Sequence, residues 1–212
     1  MNIFQKMKLK NKQLARIFLV RHGQVENPKK IVYGYLPFPL NKTGQTQAKR
    51  AGLSLKNKKI AAIFASPQKR CQQTATIIKK TIGGKIKIIT SRDLRESGFG
   101  HATEGWTVEE YDRQHHKEHL IYTRTPGKSK VGETLANMAR RVQKIIQTAI
   151  KKYPGQNLVF VSHRDPILAF LLKIAKRDFN DLHKVKAICD KGAICEVWSV
   201  GQRLINKTYL AS

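Results

Sequence analysis

Short apolar runs recur along the chain, and most are followed by a longer stretch of helical periodicity. "RIFLV" (16–20), "IAAIFAS" (60–66), "KIKII" (85–89) and "NLVFVS" (157–162) have strand length, and most are near-continuously apolar. That pattern fits strands covered on both faces. Asn41 stands where it can N-cap a helix from about Lys42 to Lys56, with Ala48, Leu53 and Leu55 among its apolar positions. Pro67 suits the first turn of a second helix reaching about Ile82. Residues 107–119 predict a polar helix, 133–152 a strong one, and Pro166 opens another to about Lys176. Residues 90–106 and 125–132 read as loops, and "AICEVWSV" (193–200) with "RLINKTYL" (203–210) predicts a hairpin around Gly201-Gln202.

Strands alternating with helices imply a mostly parallel central sheet covered on both sides, a three-layer α/β/α sandwich. No repeat and no Pro/Gly/Ser linker divides the chain. Residues 1–14 read as a basic leader and 15–212 as a single domain. In such sheets ligands bind beyond the carboxyl ends of the strands. His22 follows the first strand, Ser66 and Arg70 the second, and His163 the fourth, so positions 22, 70 and 163 converge at one sheet edge.

Charge narrows the partners. Forty-one Lys and Arg against fourteen Asp and Glu give a formal +27, which favours encounter with anions. Nucleic acid, an acidic membrane surface and a phosphorylated small molecule all qualify. A merely solvated lysine-rich surface competes with them, because runs such as "KMKLKNK" (6–12) and "KNKK" (56–59) are scattered. Cys71, Cys189 and Cys195 form neither a C-x-x-C pair nor an even set, which points to a reducing compartment. The N-terminus lacks a signal-peptide apolar core, and no run approaches the ~20 residues of a membrane span. A soluble cytoplasmic protein without a membrane role is the expectation.

Two histidines, two arginines and a carboxylate at one edge suit phosphate chemistry. Arginine offers a permanently charged fork of donors matched to phosphate oxygens. Neutral histidine is a good nucleophile at pH 7, and a second one, if protonated, adds positive charge where the transferring group needs it. Gly23 would let backbone and side chain approach an anion closely. With no metal-ligand cluster near these positions and no cofactor motif, the cations take the place of Mg²⁺. The chemistry read from the residues is metal-independent phosphoryl transfer through a phosphohistidine.

The chain also resembles a known family, the histidine phosphatase superfamily, or phosphoglycerate mutase-like proteins. "LVRHGQ" (19–24), "YGYLPFPLNKTGQTQA" (33–48), "ASPQKRCQQTA" (65–75), "LRESGFGHATEG" (94–105), "GETLANMARRV" (132–142) and "VSHRDPI" (161–167) carry the resemblance in the family's order. It implies His22 as the phosphorylated nucleophile, Arg21 and Arg70 as phosphate clamps, and His163 as the second histidine. Glu96 in "LRE" matches the acid that protonates the leaving oxygen and then activates water, ahead of Glu104 in the "EG" turn. Such a dual acid/base needs a pKa lifted by burial against the pull of nearby arginines. Asn27 matches a phosphate-contacting asparagine with an offset of one position.

Other features read more plainly. Arg164-Asp165 stands where the family often has glycines, and either contacts phosphate or substrate, or forms an ion pair at a helix start. "RQHHKEH" (113–119) reads as an exposed polar helix rather than a metal site, Cys71 as a packed residue and Glu133 as a helix-start contributor. The leading function is a phosphomonoesterase with a phosphorylated small-molecule substrate. The alternatives are a mutase, disfavoured by the compact 97–162 interval, and a basic RNA- or DNA-binding protein, disfavoured by missing motifs and few aromatics. Lys128 and Lys130 hint at an acidic substrate.

Overall fold

The computed structural model describes residues 14–98 and 105–206, so all but the last residue of the expected basic leader lies outside it. Six strands form one sheet: β1 (Leu14–Arg21), β2 (Ile60–Ala65), β3 (Lys87–Thr90), β4 (Asn157–Ser162), β5 (Ile194–Val200) and β6 (Arg203–Asn206). Their order is β3-β2-β4-β1-β5-β6. The first four are mutually parallel, and the β5–β6 hairpin adds antiparallel strands at the β1 side. The helices are α1 (Lys42–Leu55), α2 (Lys69–Ile82), α3 (Val108–Gln114), α4 (His116–Arg124), α5 (Leu135–Lys152) and α6 (Arg164–Ile174).

Apolar runs without alternation arise because both faces of the sheet are buried. Ile17 and Leu19 of β1, with Leu158 and Phe160 of β4, pack against α5 and α6. Their neighbours Phe18, Val20, Val159 and Val161 pack on the other face against α1 and α2. The expected sandwich is thus the observed one. α6 sits so deep that Asp165 through Leu172 are all buried.

Local starts and stops follow side-chain chemistry. Asn41 caps α1 as expected, its side chain accepting from the Gly44 amide at 2.8 Å. Leu53 faces outward at 54% exposure, and the helix instead buries its small residues Ala48, Ala51 and Gly52 with Leu55. Pro67 lies before the cap of α2 rather than in its first turn, since Gln68 is the N-cap. The polar helix is two short ones, because His115 leaves helical geometry at φ −125° and ψ 38°. β3 runs two residues later than "KIKII" starts, and α6 starts two residues before Pro166. No helix among the described residues is long and apolar enough to cross a membrane.

Candidate active site

Parallel register builds the site. Arg21 of β1 pairs with Ser162 of β4, so the next residues, His22 and His163, leave the sheet side by side. Their ring centroids lie 5.1 Å apart at 65°. Ser66 follows β2 and bonds the backbone of β4, and α2 begins just beyond it, placing Arg70 in its first turn. The structure therefore brings His22, Arg70 and His163 together at the carboxyl edge.

Arg70 is the hub and is fully buried. Its Nε donates to His22 Nε2 at 3.3 Å and its Nη2 donates to His163 Nδ1 at 3.2 Å. The carbonyls of Gly34 and Leu36 take its other donors at 2.8 and 3.3 Å, and its guanidinium lies 4.7 Å from the Tyr33 ring centre. A guanidinium held from so many sides keeps a fixed orientation toward an anion.

Hydrogen bonds also set the imidazole tautomers. His22 Nδ1 is 2.7 Å from the Gly23 carbonyl, which can only accept. The Nδ1 proton therefore stays there, and Nε2 presents a lone pair toward the arginines. Burial first, and the charges of Arg70 and Arg21 next, hold the His22 pKa well below its ordinary value. His163 accepts from Arg70 at Nδ1, so its proton sits on Nε2, facing Ser66 Oγ at 2.8 Å and Gln68 Oε1 at 3.2 Å. Burial and Arg70 depress this histidine too, so without a bound anion it is neutral, not the cation that the protonated alternative required.

Glu96 joins them from the loop after β3. Its Oε2 is 3.8 Å from His163 Nδ1, and its Oε1 accepts from the Ser97 amide at 3.0 Å. Burial, then the negative charge of Asp165, raise its pKa to about 7 against the opposing pull of Arg70. The loop is held where it meets the one before α5, since a Cβ on Gly132 would fall 1.5 Å from the Gly98 carbonyl oxygen. Glu104 lies outside the described residues.

Arg21 donates from Nη1 to the Cys189 carbonyl at 2.9 Å. Its Nε is buried with no hydrogen-bond partner among the described residues, an orphaned donor at the edge where an anion would sit. Asn27 is engaged elsewhere: its amide exchanges two 2.9 Å bonds with the Ile31 backbone and braces its own loop. Arg164 forms the ion pair of the two readings, at 2.8 Å to Asp165, and also borders the cavity beside the site. Gly23 packs closely on α1: a Cβ there would lie 2.3 Å from the Gly44 carbonyl oxygen. Glu133 pairs with Arg141 at 2.8 Å while Thr134 caps α5.

Sequence reasoning missed Gln68, Tyr33, Tyr122 and the carbonyls of Gly34 and Leu36. Gln68 and Tyr33 lie inside the quoted motif blocks, yet their types alone signal nothing. Cys71 is buried, and burial pushes its thiol up to about 12, so it is an inert packed residue as read. His116 and His119 both face Asp112, and no group of three metal-ligating side chains occurs among the described residues.

Comparison with known proteins places the chain in a family. The family model described as "Histidine phosphatase superfamily (branch 1)" matches residues 17–205. A 2,3-bisphosphoglycerate-dependent phosphoglycerate mutase of Cytophaga hutchinsonii is 30% identical, covering 80% of this chain and 81% of its own. Among solved structures, YhfR of Bacillus stearothermophilus superposes with a TM-score of 0.84 at 21% identity, covering 93% of this chain and 98% of its own. A mycobacterial glucosyl-3-phosphoglycerate phosphatase gives 0.76 at 21%, covering 93% and 99%. The solved structures attest the fold, and the family model settles membership: the chain belongs to the histidine phosphatase superfamily, branch 1.

Proposed function

We propose that this protein is a metal-independent phosphatase that hydrolyses a phosphate monoester through a phosphohistidine on His22. The observation that carries the reading is the His22 tautomer. With Nδ1–H tied to the Gly23 carbonyl, the Nε2 lone pair faces the buried guanidinium of Arg70. A phosphate entering there trades that weak Arg70–imidazole bond for charge-assisted bonds to Arg70 and to the free Nε–H of Arg21.

In the first step Nε2 attacks phosphorus, the P–N bond forms and the ester P–O bond breaks. Glu96, protonated up to about pH 7, gives its proton to the leaving oxygen. In the second step the Glu96 carboxylate takes a proton from water, whose oxygen attacks phosphorus and breaks the P–N bond. Inorganic phosphate leaves, and Glu96 is protonated again. His163 acts on the phosphoryl oxygens, and dianionic phosphate beside it opposes the burial and the Arg70 charge that keep it neutral alone.

A mutase would return the phosphoryl group to an organic acid instead of water, and the identity to the Cytophaga mutase keeps that alternative concrete. Hydrolysis of an aryl phosphate by wild type and His22→Ala tests the main reading. The expected loss in His22→Ala is about a thousandfold or more, and retained turnover rejects the reading. Incubation with 3-phosphoglycerate and 2,3-bisphosphoglycerate tests the alternative: 2-phosphoglycerate formed without matching phosphate release establishes a mutase.

A further inference from the structure

Beside the phosphate-binding edge lies a cavity of about 410 Å³, within the range of small-molecule pockets. It adjoins the catalytic groups through the chain itself. Ser97, next to Glu96, lines it, as do Arg164 and Asp165, next to His163. It therefore lies beside the residues that follow the acid and the second histidine. Among the described residues its walls are mainly Val32, Tyr111, Val131, Leu135 and Met138, with Val108 at the mouth, 49% exposed.

Its few charges are already matched. Arg164 Nε donates to Asp165 at 2.8 Å and its Nη2 donates to the Tyr122 hydroxyl at 3.0 Å. The Tyr122 hydroxyl in turn donates to the other Asp165 oxygen, which closes a three-residue clasp. Glu133 is held by Arg141, and His119 by Asp112. A carboxylate brought into this cavity would have to draw Arg164 from a buried partner, leaving Asp165 unpaired at high cost. Lys128 and Lys130 do not line it. They are exposed and border an adjoining outer hollow of about 560 Å³ with His115 and Glu118. Among the described residues Arg164 is the only Lys or Arg that lines the cavity.

We propose that the cavity receives the alcohol side of the substrate, and that the substrate is a phosphate monoester of a bulky, apolar, uncharged alcohol. This rests on the phosphatase reading above and adds the leaving-group class to it. The acidic-substrate hint of Lys128 and Lys130 is replaced: those lysines act on approach rather than on the bound leaving group.

A series of n-alkyl phosphates from ethyl to octyl tests the assignment, because leaving-group basicity is nearly constant along it and the Glu96 step is unchanged. Each methylene that becomes fully buried raises kcat/KM about fourfold. The expected gain from ethyl to hexyl phosphate is at least about tenfold, since the cavity mouth is partly open, with 3-phosphoglycerate turned over less well than hexyl phosphate. Val108→Asp puts a carboxylate at the mouth and at the first position of α3, where a helix N-terminus tolerates it, so the fold is kept. It should cut the hexyl-to-ethyl ratio at least threefold. A flat series, a preference for 3-phosphoglycerate, or an unchanged ratio in Val108→Asp overturns this inference while leaving the phosphatase reading standing. Failure of wild type to hydrolyse any ester removes both.

Discussion

Glu96→Gln separates stability from activity. The folded protein raises the Glu96 carboxyl from its ordinary 4.5 to about 7. A raised folded-state pKa means the folded chain holds the proton more tightly than the unfolded one. The stability this lends is fully present below about pH 4.5 and is lost as pH rises through about 7. At 1.36 kcal/mol per decade of proton affinity, wild type should lose on the order of 2–3 kcal/mol between pH 5 and pH 8 through this one group. The substituted glutamine does not titrate, and its side-chain oxygen can still accept from the Ser97 amide as Glu96 does. The depressed His22 and His163 push the opposite way below about pH 6.5, yet they are common to both proteins and cancel in the difference. Urea or thermal unfolding of the two proteins at pH 5, 6.5 and 8 measures it. The Tm gap should move in favour of Glu96→Gln by about 5–10 °C from pH 5 to pH 8, while hydrolysis of alkyl esters falls. A gap that stays constant with pH refutes the buried, proton-holding Glu96.

Four further outcomes follow from the same geometry. For esters of poor leaving groups, kcat/KM should fall about tenfold per pH unit above about pH 7 as Glu96 loses its proton. Asp165→Asn removes the charge that helps raise Glu96, so that same limb should move to lower pH in a stopped-time phosphate assay. Arg70→Lys keeps the charge but loses the fork that reaches both histidines and the Gly34 carbonyl, and should lower kcat/KM at least about a hundredfold in steady-state kinetics. Gly23→Ala drives a Cβ into Gly44, and should cost about 1–3 kcal/mol in denaturant titration and displace the carbonyl that holds the His22 proton.

The layers of the fold are legible in the sequence because the runs of β1, β2 and β4 are apolar on both faces, which fits a covered sheet. The convergence of His22, Arg70 and His163 is legible too, since each follows a strand of that sheet by a few residues. Boundaries are less so. α6 starts directly after His163 because that one residue joins strand to helix, a tertiary economy that Pro166 does not announce. The break at His115 leaves no breaker residue in the sequence, and Leu53 misleads because small residues carry the buried face of α1 instead. Protonation states are out of reach for a different reason. The neutral His163 depends on Arg70 and Ser66 from distant parts of the chain, and the fixed His22 tautomer on the ring orientation that brings Nδ1 to the neighbouring Gly23 carbonyl. Likewise the packing of Gly23 depends on Gly44 meeting it in space, and the Arg164–Asp165 ion pair is completed by Tyr122 from elsewhere in the chain.

The central claim is the covalent intermediate on His22, and trapping it is the most direct test. Enzyme mixed with a phosphate-labelled ester and quenched during turnover should carry base-stable, acid-labile label on the peptide containing His22. The label should accumulate further in Glu96→Gln, where water activation is slowed, and be missing from His22→Ala. Full labelling of His22→Ala, or turnover by wild type with the released phosphate inverted at phosphorus as in a single direct displacement by water, would contradict the account.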